Sequence, residues 1–100
     1  MSLLARVLTV FFIVTSLAAT ANGSDLFGIV WFDGKVAHGA VVKLVPGPDH
    51  FVDVATQSGY YSIRNIPAGD YTVNVEYQGK GCVKRVRVYP QRTQYNVICP

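Results

Sequence analysis

His38 and His50 are the only histidines in the chain, and both stand near glycine or proline in stretches that read as loops. Asp49, His50 and Asp53 could be imagined as metal ligands, but no two of them share a regular ligand spacing. Ser24, Ser58 and Ser62 carry hydroxyls, yet none occupies the Gly-x-Ser-x-Gly setting that exposes a nucleophile on a strained turn. Cys82 and Cys99 could supply a thiol only if they were unpaired. The sequence therefore assigns no catalytic residue, no metal site and no cofactor. The His, Asp and Ser positions read as solvated loop or turn residues.

The elements that must position any site begin after a segment that reads as a leader. Met1 to Arg6 carry one positive charge, and Val7–Leu17 (VLTVFFIVTSL) is apolar apart from Thr and Ser. Ala19-Thr20-Ala21 fits the small-x-small rule for cleavage, so residues 1–21 are expected to be a secretory signal peptide. The apolar run is shorter than the ~20 residues of a spanning helix, and no stable membrane span is expected after cleavage. Residues 22–100 then form one small domain of 79 residues, exported to a periplasmic or extracellular space. Removing Arg6 leaves eight basic and six acidic side chains, a net charge of +2, which does not point to nucleic acid. Asn22-Gly23-Ser24 matches the glycosylation acceptor pattern.

Gly, Pro, Asn and Asp recur every eight to twelve residues, with stretches rich in Val, Ile, Tyr and Phe between them. This spacing predicts an all-β sandwich or barrel with no helix. Seven strands are expected: Leu26–Phe32, Ala40–Val45, Phe51–Thr56, Tyr60–Arg64, Tyr71–Gln78, Cys82–Tyr89 and Tyr95–Cys99. Tyr71, Val73, Val75 and Tyr77 alternate with Thr72, Asn74 and Glu76, so one face of that strand is buried and the other wet. The first strand, LFGIVWF, is apolar on both faces. Either it is central and covered on both sides, or it exposes an apolar patch.

Export favours a disulfide between the two cysteines. If the last two strands form a hairpin turning at Pro90-Gln91, Val86 pairs with Tyr95, Lys84 with Val97 and Cys82 with Cys99. Residues directly opposite are close to disulfide reach.

Thr56-x-x-Gly59-x-Tyr61-x-Ile63, followed by Asn65-Ile66-Pro67-x-Gly69-x-Tyr71-x-Val73, resembles the carboxypeptidase regulatory-like domain family. Gly28-x-Val30 and Gly39-Ala40-x-Val42-x-Leu44 match the first two strands of that family, and the resemblance spans about Leu26 to Val88. It implies a seven-stranded, two-sheet, transthyretin-like β-sandwich. Ser58 stands where the family often has Asp, and the cysteine pair is not a general feature of the family. Each Gly-x-Tyr unit is a turn followed by the start of a strand, so Tyr61 and Tyr71 are both expected to point into the core. Two chemistries of similar architecture fit poorly. The chain ends Val97-Ile98-Cys99-Pro100, unlike the tail of the hydroxyisourate hydrolases. Its first strand lacks the lysine of the isopeptide-forming pilin domains, and Glu76 and Asn96 take outward parity.

Two surface features could bind a partner. Arg85 and Arg87 point away from the Cys82, Val86 and Val88 face of their strand, and Arg64 and Lys80 are placed on the same side of the molecule. Such a stripe suits an acidic polysaccharide, lipid headgroup or protein, or simply protects a sheet edge with charge. Phe27, Ile29 and Trp31 share the face of the first strand opposite Gly28 and Val30. Exposed, that row would be a contact patch. The leading expectation is a non-enzymatic exported module that works by binding a protein or by structural support. The alternative is a carbohydrate-binding module, favoured if Trp31 or Tyr60 is exposed beside polar groups. A small hydrolase would need a cleft that joins His38 or His50 to an acid and a nucleophile.

Overall fold

The computed structural model describes residues 23–100; the expected signal peptide and Asn22 lie outside the described residues. The short runs of β-branched and aromatic residues form nine strands and, among the described residues, no helix. They are β1 (Ser24–Phe32), β2 (Lys35–Val36), β3 (Val41–Val45), β4 (Val52–Val54), β5 (Tyr60–Ile66), β6 (Gly69–Tyr77), β7 (Lys80–Val88), β8 (Arg92–Gln94) and β9 (Val97–Cys99). A four-stranded antiparallel sheet runs β4-β3-β6-β7. In the five-stranded sheet β1 is central, antiparallel to β2 and β5 and parallel to β8 and β9.

Between the sheets lie Leu26, Val30 and Phe32 of β1, Val42 and Leu44 of β3, and Tyr61, Ile63 and Ile66 of β5. Val73 and Val75 of β6, Val86 and Val88 of β7, and Val97 of β9 join this core, with Ala37, Ala40, Phe51, Ala55 and the two cysteines also buried. In β1 buried positions alternate with half-buried ones, and in β7 and the second half of β6 with more accessible ones, as period two requires. The all-β, two-sheet expectation is therefore met.

The expected C-terminal hairpin is not formed. β7 pairs with β6 alone, and after Pro90-Gln91 the chain crosses to the other sheet and runs parallel to β1. The physical reason is β1. β5 and β2 pair one edge of its backbone, and the crossing chain pairs the other: Asp25 N–H donates to Gln91 O, and Tyr95 N–H to Phe27 O. The expected strand Tyr95–Cys99 is also broken, because β8 and β9 are separated at Tyr95-Asn96. There Asn96 Oδ1 accepts the Ile29 N–H at 3.1 Å, in place of a backbone carbonyl.

Cys82 and Cys99 do form a disulfide, with Cα atoms 6.0 Å apart. It joins β7 of one sheet to β9 of the other, so it is a clamp across the sandwich rather than a rung between paired strands.

The two tyrosines expected in the core part company. Tyr61 is fully buried, and its hydroxyl donates to Tyr95 O at 2.6 Å. Tyr71 is only half-buried at the rim, where its hydroxyl donates to Pro67 O at 2.6 Å. Gly59 adopts φ +81° in the turn before β5, where Gly59 N–H donates to Thr56 O and Thr56 N–H to Tyr60 O.

Candidate functional site

The outer face of the five-stranded sheet follows from the parity of β1. Leu26, Gly28 and Val30 point inward, so Phe27, Ile29 and Trp31 point out, and all three are half-buried. Strand pairing then extends the row sideways. Trp31 lies between Val36 of β2 and Ile98 of β9, Ile29 pairs with Tyr60 of β5, and Phe27 lies between Ser62 and Gln94. Val36 and Tyr60 are each 37% exposed and Ile98 64%, so the margins of this apolar row are open to solvent. At one end the Arg92 guanidinium sits 4.1 Å from the centre of the Phe27 ring, a cation–π contact. Two polar groups beside the row are engaged: Asn96 Oδ1 accepts the Ile29 N–H, and Ser62 N–H donates to the Asp53 carboxylate at 2.8 Å.

The basic candidates sit on the other sheet. Arg85 and Arg87 are exposed on the outer side of β7, as the alternation required. Arg87 is not free, however: its Nε and an Nη donate to the two oxygens of Asp70 at 2.8 and 3.1 Å. Those hydrogen bonds and the negative charge of Asp70 hold the guanidinium above its ordinary value. Arg64 belongs to β5 of the opposite sheet, and Lys80 lies at the far end of β7 from Arg87. The four cations are therefore not gathered into one stripe with Arg64. Beside Arg85 and Arg87 a groove of about 500 Å³ is lined by Pro46, Asp70, Tyr71, Thr72 and Val86.

The residues considered for catalysis are dispersed. His38 and His50 are exposed in separate loops, and His50 stands edge-on to Phe51 at 5.0 Å. Among the described residues no three His, Cys, Asp or Glu side chains gather as metal ligands. Among them also no helix is long and apolar enough to cross a membrane.

Sequence reasoning named Phe27 and Trp31 but missed Val36 and Ile98, which complete the row. β2 is a two-residue strand with no periodic signal of its own, and Ile98 was assigned to the wrong sheet. The apolar character of β1 on both faces was the signal that its outer face needed neighbours.

No protein-family model and no curated protein matches the chain. Solved structures do. A chain of a type II cohesin–X-dockerin complex from Acetivibrio cellulolyticus superposes with a TM-score of 0.61 at 18% identity, covering 75% of this chain and 56% of its own. A DUF3823 family protein from Parabacteroides merdae gives 0.59 at 16% identity, with 78% and 46% covered. A candidate carbohydrate binding protein from Pseudomonas aeruginosa gives 0.56 at 13% identity, with 84% and 94% covered. The chain thus spans about half the length of the first two. At these identities the likeness shows a shared β-sandwich fold.

Proposed function

We propose that this chain is an exported, non-enzymatic β-sandwich module of the carboxypeptidase regulatory-like kind, which docks on a protein through the outer face of its five-stranded sheet. The observation that carries the reading is the row Val36–Trp31–Ile98, three apolar side chains abreast on three adjacent strands, with half-buried Trp31 flanked by two exposed neighbours. Tryptophan offers a large contact area with few rotatable bonds and is prominent among residues that dominate interfaces. Aliphatic neighbours suit an apolar protein surface better than a sugar, whose hydroxyls need convergent hydrogen-bonding groups. Export is supported by the leader-like residues 1–21 and by the disulfide. Cleavage after Ala21 is checked by N-terminal sequencing of the secreted protein.

The test is retention of partners from the native envelope or medium on immobilised residues 22–100. A partner held by the wild type should be lost with Trp31→Ala and with Ile98→Ser, and kept with Arg64→Ala. Equal retention by all four proteins would end the reading.

A second reading, glycan binding, is favoured by one observation. Tyr60 and Trp31 are aromatic and accessible on the same sheet face. A neighbour in fold described as a candidate carbohydrate binding protein adds support. Retardation of the protein in polysaccharide-containing gels, abolished by Tyr60→Ala and Trp31→Ala, would select it over the protein-docking reading.

A further inference from the structure

Every open sandwich has sheet edges, and here they are treated unequally. β4, one edge of the four-stranded sheet, has three residues, as do β8 and β9 in the other sheet. The edge of β5 meets the β4 segment, where Asp53 accepts the Ser62 N–H and Tyr60 O accepts the Thr56 N–H. β7 differs. It pairs with β6 through all nine residues, Lys80–Val88, in unbroken register, and among the described residues no strand covers its second edge. Among the described residues none of its backbone groups takes part in the turn and loop hydrogen bonds of the sandwich. In an antiparallel pair, alternate residues turn their N–H and C=O groups away from the neighbour. The edge therefore presents a row of unpaired donors and acceptors, a template for one more strand.

The charge of this edge selects among the strands that could add to it. Lys80, Lys84, Arg85 and Arg87 all belong to β7, which carries no acid. Among the described residues only Arg87 of these has a carboxylate partner, Asp70. Arg85 and Arg87 flank the edge on the outer side, and half-buried Lys84 has the inner parity. A second copy of β7 would set cation against cation, and like charges directly opposite are destabilising. An extended segment with acids on one face would meet complementary charge in either orientation, Arg85 on the outer side or Lys84 on the inner.

We propose that β7 is a strand-addition site that takes an extended, acidic segment of another protein. The site lies on the opposite sheet from Trp31, and neither surface depends on the other. Backbone pairing supplies the affinity, and the Lys and Arg side chains reject self-pairing and set the preference for glutamate or aspartate.

The experiment uses residues 22–100 labelled with ¹⁵N and a synthetic peptide, as long as β7, that alternates threonine and glutamate. Expected are slowed hydrogen exchange at alternate amides of Lys80–Val88 and no protection from the same peptide with lysine in place of glutamate. N-methylation of alternate peptide amides, tried in both registers, should abolish the protection in one register. Lys84→Glu combined with Arg85→Glu should weaken binding roughly tenfold. Arg85→Gln serves as a milder variant should the double reversal lose spectral dispersion. The proposal is overturned if no acidic peptide protects β7. It is equally overturned if both N-methylated peptides bind as well as the parent, if heparin protects the same amides, or if sedimentation shows a dimer paired through β7.

Discussion

A Cβ at position 28 would run into the Tyr95 carbonyl, which occupies the inward space that this glycine leaves open. That carbonyl is the acceptor of the buried Tyr61 hydroxyl. Gly28 and Tyr61, read separately in the sequence as a strand glycine and a core aromatic, thus serve one contact that holds the crossing chain against β1. Gly28→Ala should destabilise by about 1–3 kcal/mol, the usual cost of overpacking, and thermal unfolding would show it. Tyr61→Phe should also cost about 1–3 kcal/mol, because it leaves a buried carbonyl unpaired, and urea titration would measure it. It should in addition change the alkaline limb of stability. Burial, with the nearby Tyr95 adding to it, pushes the Tyr61 phenol above the ordinary tyrosine value. A raised folded-state pKa means that the unfolded chain loses this proton first. The stabilisation is therefore complete below about pH 10 and is lost as pH rises beyond it, by about 1.4 kcal/mol per unit. Circular dichroism from pH 9 to 11 should show a shallower decline in Tyr61→Phe than in the wild type; identical slopes would mean that Tyr61 ionises alike in both states.

At the scale of elements, what is periodic was legible and what is topological was not. Period two placed Val73 and Val75 inside and Asn74 and Glu76 outside, and the structure agrees. It also aimed Cys82, Val86 and Val88 inward. Tyr71 shows the limit of that argument: its parity is inward, but it lies near the start of β6 at the rim, where it is only half-buried. Parity is a local property of the backbone, whereas the choice of sheet depends on which edges still lack partners. Pro90-Gln91 reads as a turn in either case, so residues 92–99 could return along β7 or cross to β1, and the two differ only in long-range pairing. The cysteines were correctly paired through an incorrect register, because the same two inward side chains meet across the sandwich. The clamp closes a segment of sequence separation 17 and should contribute roughly 3 kcal/mol. Replacing both cysteines by serine should lower the unfolding free energy by about that amount while β7 stays paired to β6. A loss of β6–β7 amide protection in the double variant would show that the disulfide organises the four-stranded sheet as well as tying it to the other.

Taken whole, the molecule presents two unlike outer faces, a basic edge on the four-stranded sheet and an apolar aromatic face on the five-stranded one. The second was foreseen from β1 only as a choice between a covered and an exposed strand. The parallel neighbours β8 and β9 make β1 central, yet its outer side chains remain half-buried and bordered by the exposed Ile98 and Val36. A central strand and an exposed apolar face are therefore both present, because strands cover the edges of β1 while the described residues leave its outer side partly open. Trp31 is the only tryptophan in the chain, so its emission reports this face alone. Half-buried between aliphatic neighbours, it should emit between the extremes of a core and a fully hydrated indole, and acrylamide should quench it in the monomer. Docking of an apolar partner removes water from the face, so emission should then move to the blue and quenching should fall. Ile98→Ser, which opens one side of the indole to water, should shift the monomer to the red without altering the fold. Blue, unquenchable emission from the isolated monomer would remove Trp31 as a contact residue and leave the edge of β7 as the binding surface.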